Sequence, residues 1–150
     1  MNRNVNILIE GIVRGESEER IVTRAIGQYH IHNHAHVLRY NESAVEGDNE
    51  DKVTLGDDKD SINTIKISPG LVEMIKSGDN STHMTFDLSQ STQSVYDTPY
   101  GSLYFQVDTS RIDIEADLAD RLTLHMEYSL SHGDSHISDN QIHIVVKDLN

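Results

Sequence analysis

The chain of 150 residues has no cysteine, no tryptophan and only two prolines. The absence of cysteine excludes disulfides, zinc–thiolate centres and thiol nucleophiles, and it fits a reducing compartment. No apolar run approaches the roughly 20 residues that a transmembrane helix needs, and the N-terminus lacks the pattern of a signal peptide. We therefore expect a cytoplasmic protein without membrane association.

Positive charge is also scarce. The sequence has 12 Lys and Arg residues against 25 Asp and Glu residues, which gives a formal net charge of −13 with neutral histidines. A field of this sign repels phosphate backbones, so nucleic acid is not an expected partner. The length fits a single domain, residues 1–150, that can bury a core of its own.

What the sequence does contain is alternation. From Leu122 to Leu130, every second residue is apolar, and a period of two places these side chains on one face of a strand. The same rhythm returns at Thr82–Leu88, Leu103–Asp108 and Gln141–Lys147. Val5–Val13 is also strand-like and is apolar on both faces over part of its length. The pattern predicts an all-β fold.

Turn signals divide the chain into about ten short strands. Ser68-Pro69-Gly70 and Thr98–Gly101 are two such signals, and Leu103–Asp108 and Arg111–Ala116 are predicted as separate strands. Turns every 8–12 residues are typical of an antiparallel barrel or sandwich.

Three segments need separate interpretation. Glu16–Ile26 has some helical spacing, but its β-branched cluster favours a strand. Gly27–Glu42 is predicted as a hairpin that turns at Asn33-His34, although one unbroken strand also fits. Glu42–Ser61 holds eight acids and two lysines, and we predict an acidic, flexible loop at about residues 43–61.

Several short motifs occur in a particular order along the chain. They are Gly27-Gln28-Tyr29, Leu38–Glu42, Lys66–Gly78, Met84-Thr85-Phe86, Thr98–Leu103 and Asp108-Thr109-Ser110. Their order and spacing resemble the YwiB-like family of uncharacterised bacterial proteins. The resemblance implies a lipocalin-like (calycin) fold, which makes a single antiparallel β-barrel of about eight to ten strands the prediction. The activity of that family is not established, so the resemblance implies no catalytic residues.

Tyrosine supplies most of the candidate ligand-binding residues, because an apolar ring that carries a hydroxyl suits the lining of a pocket. The candidates are Tyr29, Tyr40, Tyr104 and Tyr128, together with Met126 and with Arg111 as a partner for an anionic group. In the alternative interpretation, Tyr128 fills the core and Arg111 pairs with Asp108 or Asp113. The leading hypothesis is a non-enzymatic barrel protein that binds a small amphipathic ligand.

Four histidines form the candidate metal site: His30, His32, His34 and His36. On one unbroken strand their side chains would share a face. Across a hairpin, His30 and His32 could approach His34 or His36. Neutral imidazoles bind zinc, nickel or copper in either geometry. The alternative is an exposed, polar hairpin tip.

No other segment has the pattern of an active site or a cofactor site. The sequence lacks a phosphate-binding glycine loop, an EF-hand pattern and the G-x-S-x-G motif, so we predict no cofactor and no catalytic residues. The second hypothesis for function is an acidic interaction module that recognises a basic partner. Exposed barrel strands would also permit a homodimer.

Overall fold

The computed structural model of the protein describes residues 3–41, 46–47, 62–78, 81–116 and 121–149. These residues form eleven strands: β1 (Arg3–Arg14), β2 (Glu18–His32), β3 (Ala35–Asn41), β4 (Glu46–Gly47), β5 (Ile62–Ser68), β6 (Leu71–Ser77), β7 (Thr82–Asp87), β8 (Thr92–Thr98), β9 (Gly101–Ala116), β10 (Arg121–His132) and β11 (Ser135–Asp148). The described residues include no helix that could cross a membrane.

Ten of these strands close into an antiparallel barrel. Apart from the two-residue strand β4, each strand pairs with the next one along the chain, and β1 pairs with β11 to close the ring. Strand β4 adds to β2 at Thr23 and Arg24. The closed barrel confirms the predicted all-β class, and its strand number lies within the predicted range.

Alternate residues of the barrel strands point inward and form one hydrophobic core. On β10, Leu124 and Met126 are 0% exposed, and Leu122 is 5% exposed, as the alternation predicts. Phe86 on β7 is also completely buried. The other buried residues of this core are Val5, Ile7, Tyr29, Leu38, Ile65, Ile67, Val72, Val107, Ile144 and Val146.

The β2–β3 hairpin is confirmed, and the alternative of one unbroken strand is wrong. Asn33 and His34 have positive φ angles of 49° and 68°. Two consecutive left-handed residues form the tight turn that matches the twist of a hairpin, and Asn tolerates this conformation well. The ladder begins with the pair His32 and Ala35. Strand β2 also confirms the strand interpretation of Glu16–Ile26 over the helical one.

Several strands are longer than predicted. Leu103–Asp108 and Arg111–Ala116 are parts of one strand, β9, so the predicted break between them is wrong. At this point Glu127 pairs with Arg111 and Tyr128 pairs with Thr109, which leaves Ser110 as the extra residue of a β-bulge. A bulge absorbs an interruption of the alternation without ending the strand. The predicted acidic loop at about 43–61 lies outside the described residues, except for β4.

Gly27 has a clear packing role within the family-like motif Gly27-Gln28-Tyr29. A Cβ atom at this position would lie 2.4 Å from the carbonyl oxygen of Arg39 and 3.0 Å from side-chain atoms of Ile7 and Tyr40. A backbone oxygen cannot move aside as the end of a side chain can. Only glycine therefore permits this close approach between β2 and β3.

Candidate functional site

A large cavity lies at one mouth of the barrel, where β9 runs past the first residue of β8. Strand β9 pairs with β8 only from Gly101 to Val107, but it continues along β10 to Ala116. This second half of β9 faces the β2–β3 and β5–β6 turns across an open space of about 820 Å³. We call this space the mouth cavity. It is lined by His34, His36, Pro69, Gly70 and residues 111–116.

The walls of the mouth cavity are amphipathic. Ile112 and Ile114 are half-buried and pack against the hydrophobic core. Asp113 and Glu115 alternate with them on the same strand and are exposed. Alternation along β9 therefore gives the cavity an apolar inner wall and a charged outer rim.

A tyrosine–histidine pair lies beside the cavity on the inner face of the barrel. The hydroxyl of Tyr29 is 2.7 Å from Nδ1 of His36, and the two rings stack with centroids 5.8 Å apart. Burial raises the pKa of Tyr29, an effect that the nearby Arg3 charge opposes, and burial lowers the pKa of His36. Both groups are therefore neutral at pH 7, and the Tyr29 hydroxyl donates to Nδ1 when the imidazole carries its proton on Nε2.

Arg3 and Asp148 extend this polar group along the inner face. The guanidinium carbon of Arg3 lies 4.9 Å from the centroid of the Tyr29 ring, within the range of a cation–π contact. Nε of Arg3 is 3.5 Å from a carboxylate oxygen of Asp148. The result is a connected row of one cation, one anion, a phenol and an imidazole at the edge of a hydrophobic core.

The predicted ligand-binding residues do not form one group in the structure. Tyr29, Tyr40, Met126 and Tyr128 point into the barrel, as their strand registers require. Tyr29 lies next to His36, whereas Tyr40 pairs with Asn63 near the other end of β3. Tyr104 points outward and is 48% exposed. Of these candidates, Tyr29 lies beside the mouth cavity and Arg111 lines it, next to residues that the sequence did not single out for ligand binding.

Met126 and Tyr128 belong to the filled interior. Met126 has no exposed surface, and the ring of Tyr128 meets Phe86 edge-to-face with centroids 4.7 Å apart. Burial raises the pKa of Tyr128 to about 12, so its phenol stays protonated at neutral pH. These contacts match the alternative in which Tyr128 fills the core.

Arg111 is on the outer side of β9 beside the bulge. It donates to the carboxylates of Asp113 and Glu127, with a distance of 3.1 Å to Glu127. Hydrogen bonds to Asp113 and Glu127 raise the pKa of Arg111, while hydrogen bonds from His125 and Arg111 lower the pKa of Glu127. Of the two partners considered from the sequence, the structure pairs Arg111 with Asp113.

The hairpin separates the four candidate metal ligands. His36 pairs with Ile31 and shares the inner face with Tyr29, whereas His30 and His32 point to the outer face. His34 occupies the turn itself. Within the described ranges, no three His, Cys, Asp or Glu side chains are grouped so that they could hold a metal ion.

The sequence did contain a signal for the Tyr29–His36 pair. Once the turn is placed at Asn33-His34, counting back along the ladder pairs His32 with Ala35 and Tyr29 with Leu38. Tyr29 and His36 are then diagonal neighbours on one face. No comparable signal locates Ile112 and Ile114 at the mouth, because that depends on where β8 begins.

Comparison with known proteins agrees with this architecture. The family described as Domain of unknown function (DUF1934) matches residues 7–144. The crystal structure of the ywiB protein from Bacillus subtilis is similar with a TM-score of 0.78 and 16% identity, covering 99% of this chain and 94% of that chain. At this identity the likeness shows the fold alone. No curated protein matches the chain. The predicted resemblance is confirmed, and the chain belongs to the DUF1934 family of domains of unknown function.

Proposed function

We propose that the protein is a non-enzymatic protein of the cytoplasm that binds a small amphipathic molecule at the barrel mouth. The observation that carries this proposal is the mouth cavity of about 820 Å³, which lies within the usual range for small-molecule sites. Ile112 and Ile114 offer an apolar wall, and His36 offers a polar group that Tyr29 holds in place. A ligand with one apolar and one polar end matches this arrangement.

The packing of the barrel favours a binding site at the mouth and disfavours one at the centre of the barrel. Phe86, Leu124 and Met126 are completely buried by their neighbours, so the central layer is occupied by side chains. A barrel of this size lies between a filled interior and one that holds a single small ligand. The ligand would therefore contact Tyr29 and the mouth residues, and Met126 would support them from below.

The proposal can be tested with the fluorescent probe 1-anilinonaphthalene-8-sulfonate, a small amphipathic anion. We expect Ile114→Ser and His36→Ala each to weaken probe binding at least fivefold, because they remove the apolar wall and the polar contact. Ile26→Ser is the matched control, since Ile26 is on the outer face and 55% exposed. Urea unfolding of each variant separates loss of the site from loss of the fold. Equal affinity in all four proteins would refute the proposal.

A second proposal is an acidic interaction module that recognises a basic partner. Besides the net charge of −13, the outward side chains near the mouth include Asp113, Glu115 and Glu127. Attraction between such a surface and a basic partner is weakened by salt. Binding of a lysine-containing peptide should therefore fall as ionic strength rises. Binding that is insensitive to salt would argue against this second function.

A further inference from the structure

Among the described residues, one edge of β9 has no partner strand along half of its length. Beyond Val107, which pairs with Thr92, the next strand on that side has ended. Arg111–Ala116 pairs with β10 on the opposite edge only, and within the described part of the chain no other strand adds to it. An unpaired edge presents backbone N–H and C=O groups that another extended chain can bind.

The mouth cavity provides room beside this edge. Residues 111–116 form one wall, and His34, Pro69 and Gly70 lie on the other side of about 820 Å³ of open space. Neighbouring strands need a spacing of about 4.8 Å, and six residues of strand span about 20 Å. A short extended peptide therefore fits between the edge and the two hairpin turns.

The side chains of the edge define which peptide fits. Residues directly opposite each other in neighbouring strands point to the same face. Apolar residues of an added strand would then face Ile112 and Ile114, and the residues between them would face Asp113 and Glu115. Arg111 already donates to two carboxylates, and one of them is Asp113. Because this one cation faces the three carboxylates of Asp113, Glu115 and Glu127, the outer rim keeps an excess of negative charge, which favours Lys or Arg at alternate positions of the peptide.

We propose that the β9 edge from Arg111 to Ala116 binds an extended basic peptide, with alternating apolar and cationic residues, as an added strand. This site rests on the second proposal above, to which it gives a location and a binding mode. A basic peptide is favoured over a second copy of the chain, because two chains that each carry a net charge of −13 repel each other.

The first experiment measures affinity by calorimetry with the capped peptide Thr-Val-Lys-Val-Lys-Val-Thr. Its control has Glu in place of both Lys residues. We expect the lysine peptide to bind at least tenfold more tightly. If the two peptides bind alike, or neither binds, the recognition of basic partners fails and the β9 site fails with it.

The second experiment tests strand addition with two N-methylated versions of the lysine peptide. One is methylated at both Lys residues and the other at the two Val residues that precede them. Successive N–H groups of a strand point to opposite sides, so only one of these sets can bond to β9. We expect one version to lose at least tenfold in affinity and the other to keep it. Equal affinities would contradict strand addition.

The third experiment locates the peptide. The Asp113→Lys/Glu115→Lys variant should bind the lysine peptide at least tenfold more weakly, whereas the matched Glu16→Lys/Asp134→Lys variant, changed in two exposed turns, should retain most of the affinity. Amide hydrogen exchange should slow at residues 111–116 when the peptide binds. If both variants bind the peptide like the wild type, basic recognition survives but its assignment to β9 is wrong. A dimer that breaks up in the Asp113→Lys/Glu115→Lys variant would assign this edge to a second copy instead.

Discussion

The middle of the barrel and its mouth obey the same alternation but have different surroundings. In the middle, Leu124 and Met126 point inward from β10, where each has a strand partner on both sides, and both are completely buried. At the mouth, Ile112 and Ile114 also point inward, but β9 has lost β8 there, and they are only half-buried. An inward direction makes a side chain part of the core only where the sheet closes around it. Where one neighbouring strand ends, the same direction leaves an apolar side chain half-exposed at the mouth.

The largest predicted loss of stability comes from removing a large side chain from the buried core. Phe86→Ala should lower the free energy of unfolding by about 3–5 kcal/mol, because it removes a buried ring and leaves a cavity against Tyr128. Ile114→Ala at the mouth should cost only about 1 kcal/mol, since its side chain is already partly in water. Urea unfolding measures both. Equal losses would show that the mouth is as closely packed as the middle.

A second prediction concerns the close approach of β2 and β3 at Gly27. Gly27→Ala should destabilise the protein by about 1–3 kcal/mol, because the new Cβ would clash with the carbonyl oxygen of Arg39. Gly11→Ala is the control: its nearest neighbour, the carbonyl oxygen of Gln141, is 4.0 Å away, and we expect a change within about 0.5 kcal/mol. Thermal unfolding compares the two. If Gly27→Ala unfolds like the control, the strands can separate there without cost.

The smallest predicted effect concerns pH at the mouth. Burial lowers the pKa of folded His36 below its unfolded value of about 6.5. As pH falls below about 6.5, the unfolded chain takes up a proton there before the folded chain does. Stability due to neutral His36 is therefore present above that pH and is lost as pH falls toward the lowered folded pKa. His36→Gln should flatten this part of the profile of unfolding free energy against pH.

The control for this measurement is His32→Gln, which removes one imidazole from the exposed outer face. Urea unfolding at several pH values between 7.5 and 5 gives the three profiles. A His36→Gln profile parallel to that of the wild type would contradict burial of a neutral imidazole at the mouth.

Local patterns predicted the site only in part. Tyr29 was recognised because a tyrosine in a predicted barrel strand suits a pocket wall, and the structure places it beside the mouth with His36 as its partner. Tyr104 is also a tyrosine in a predicted strand, yet it points outward. The residue type can be read from the sequence, but whether a side chain faces inward or outward depends on the register of the whole strand. A bulge at Ser110 shifts that register within β9.

By itself, the sequence determined the all-β class, the inward set of β10 and the turn at Asn33-His34, because strand alternation and left-handed turn residues act over a few neighbouring positions. Only the tertiary structure decided that β9 runs through Ser110 as one strand, that β8 begins opposite Val107, and that a cavity opens beside Ile112 and Ile114. These features depend on pairing between strands, and no short segment carries information about where its neighbour ends.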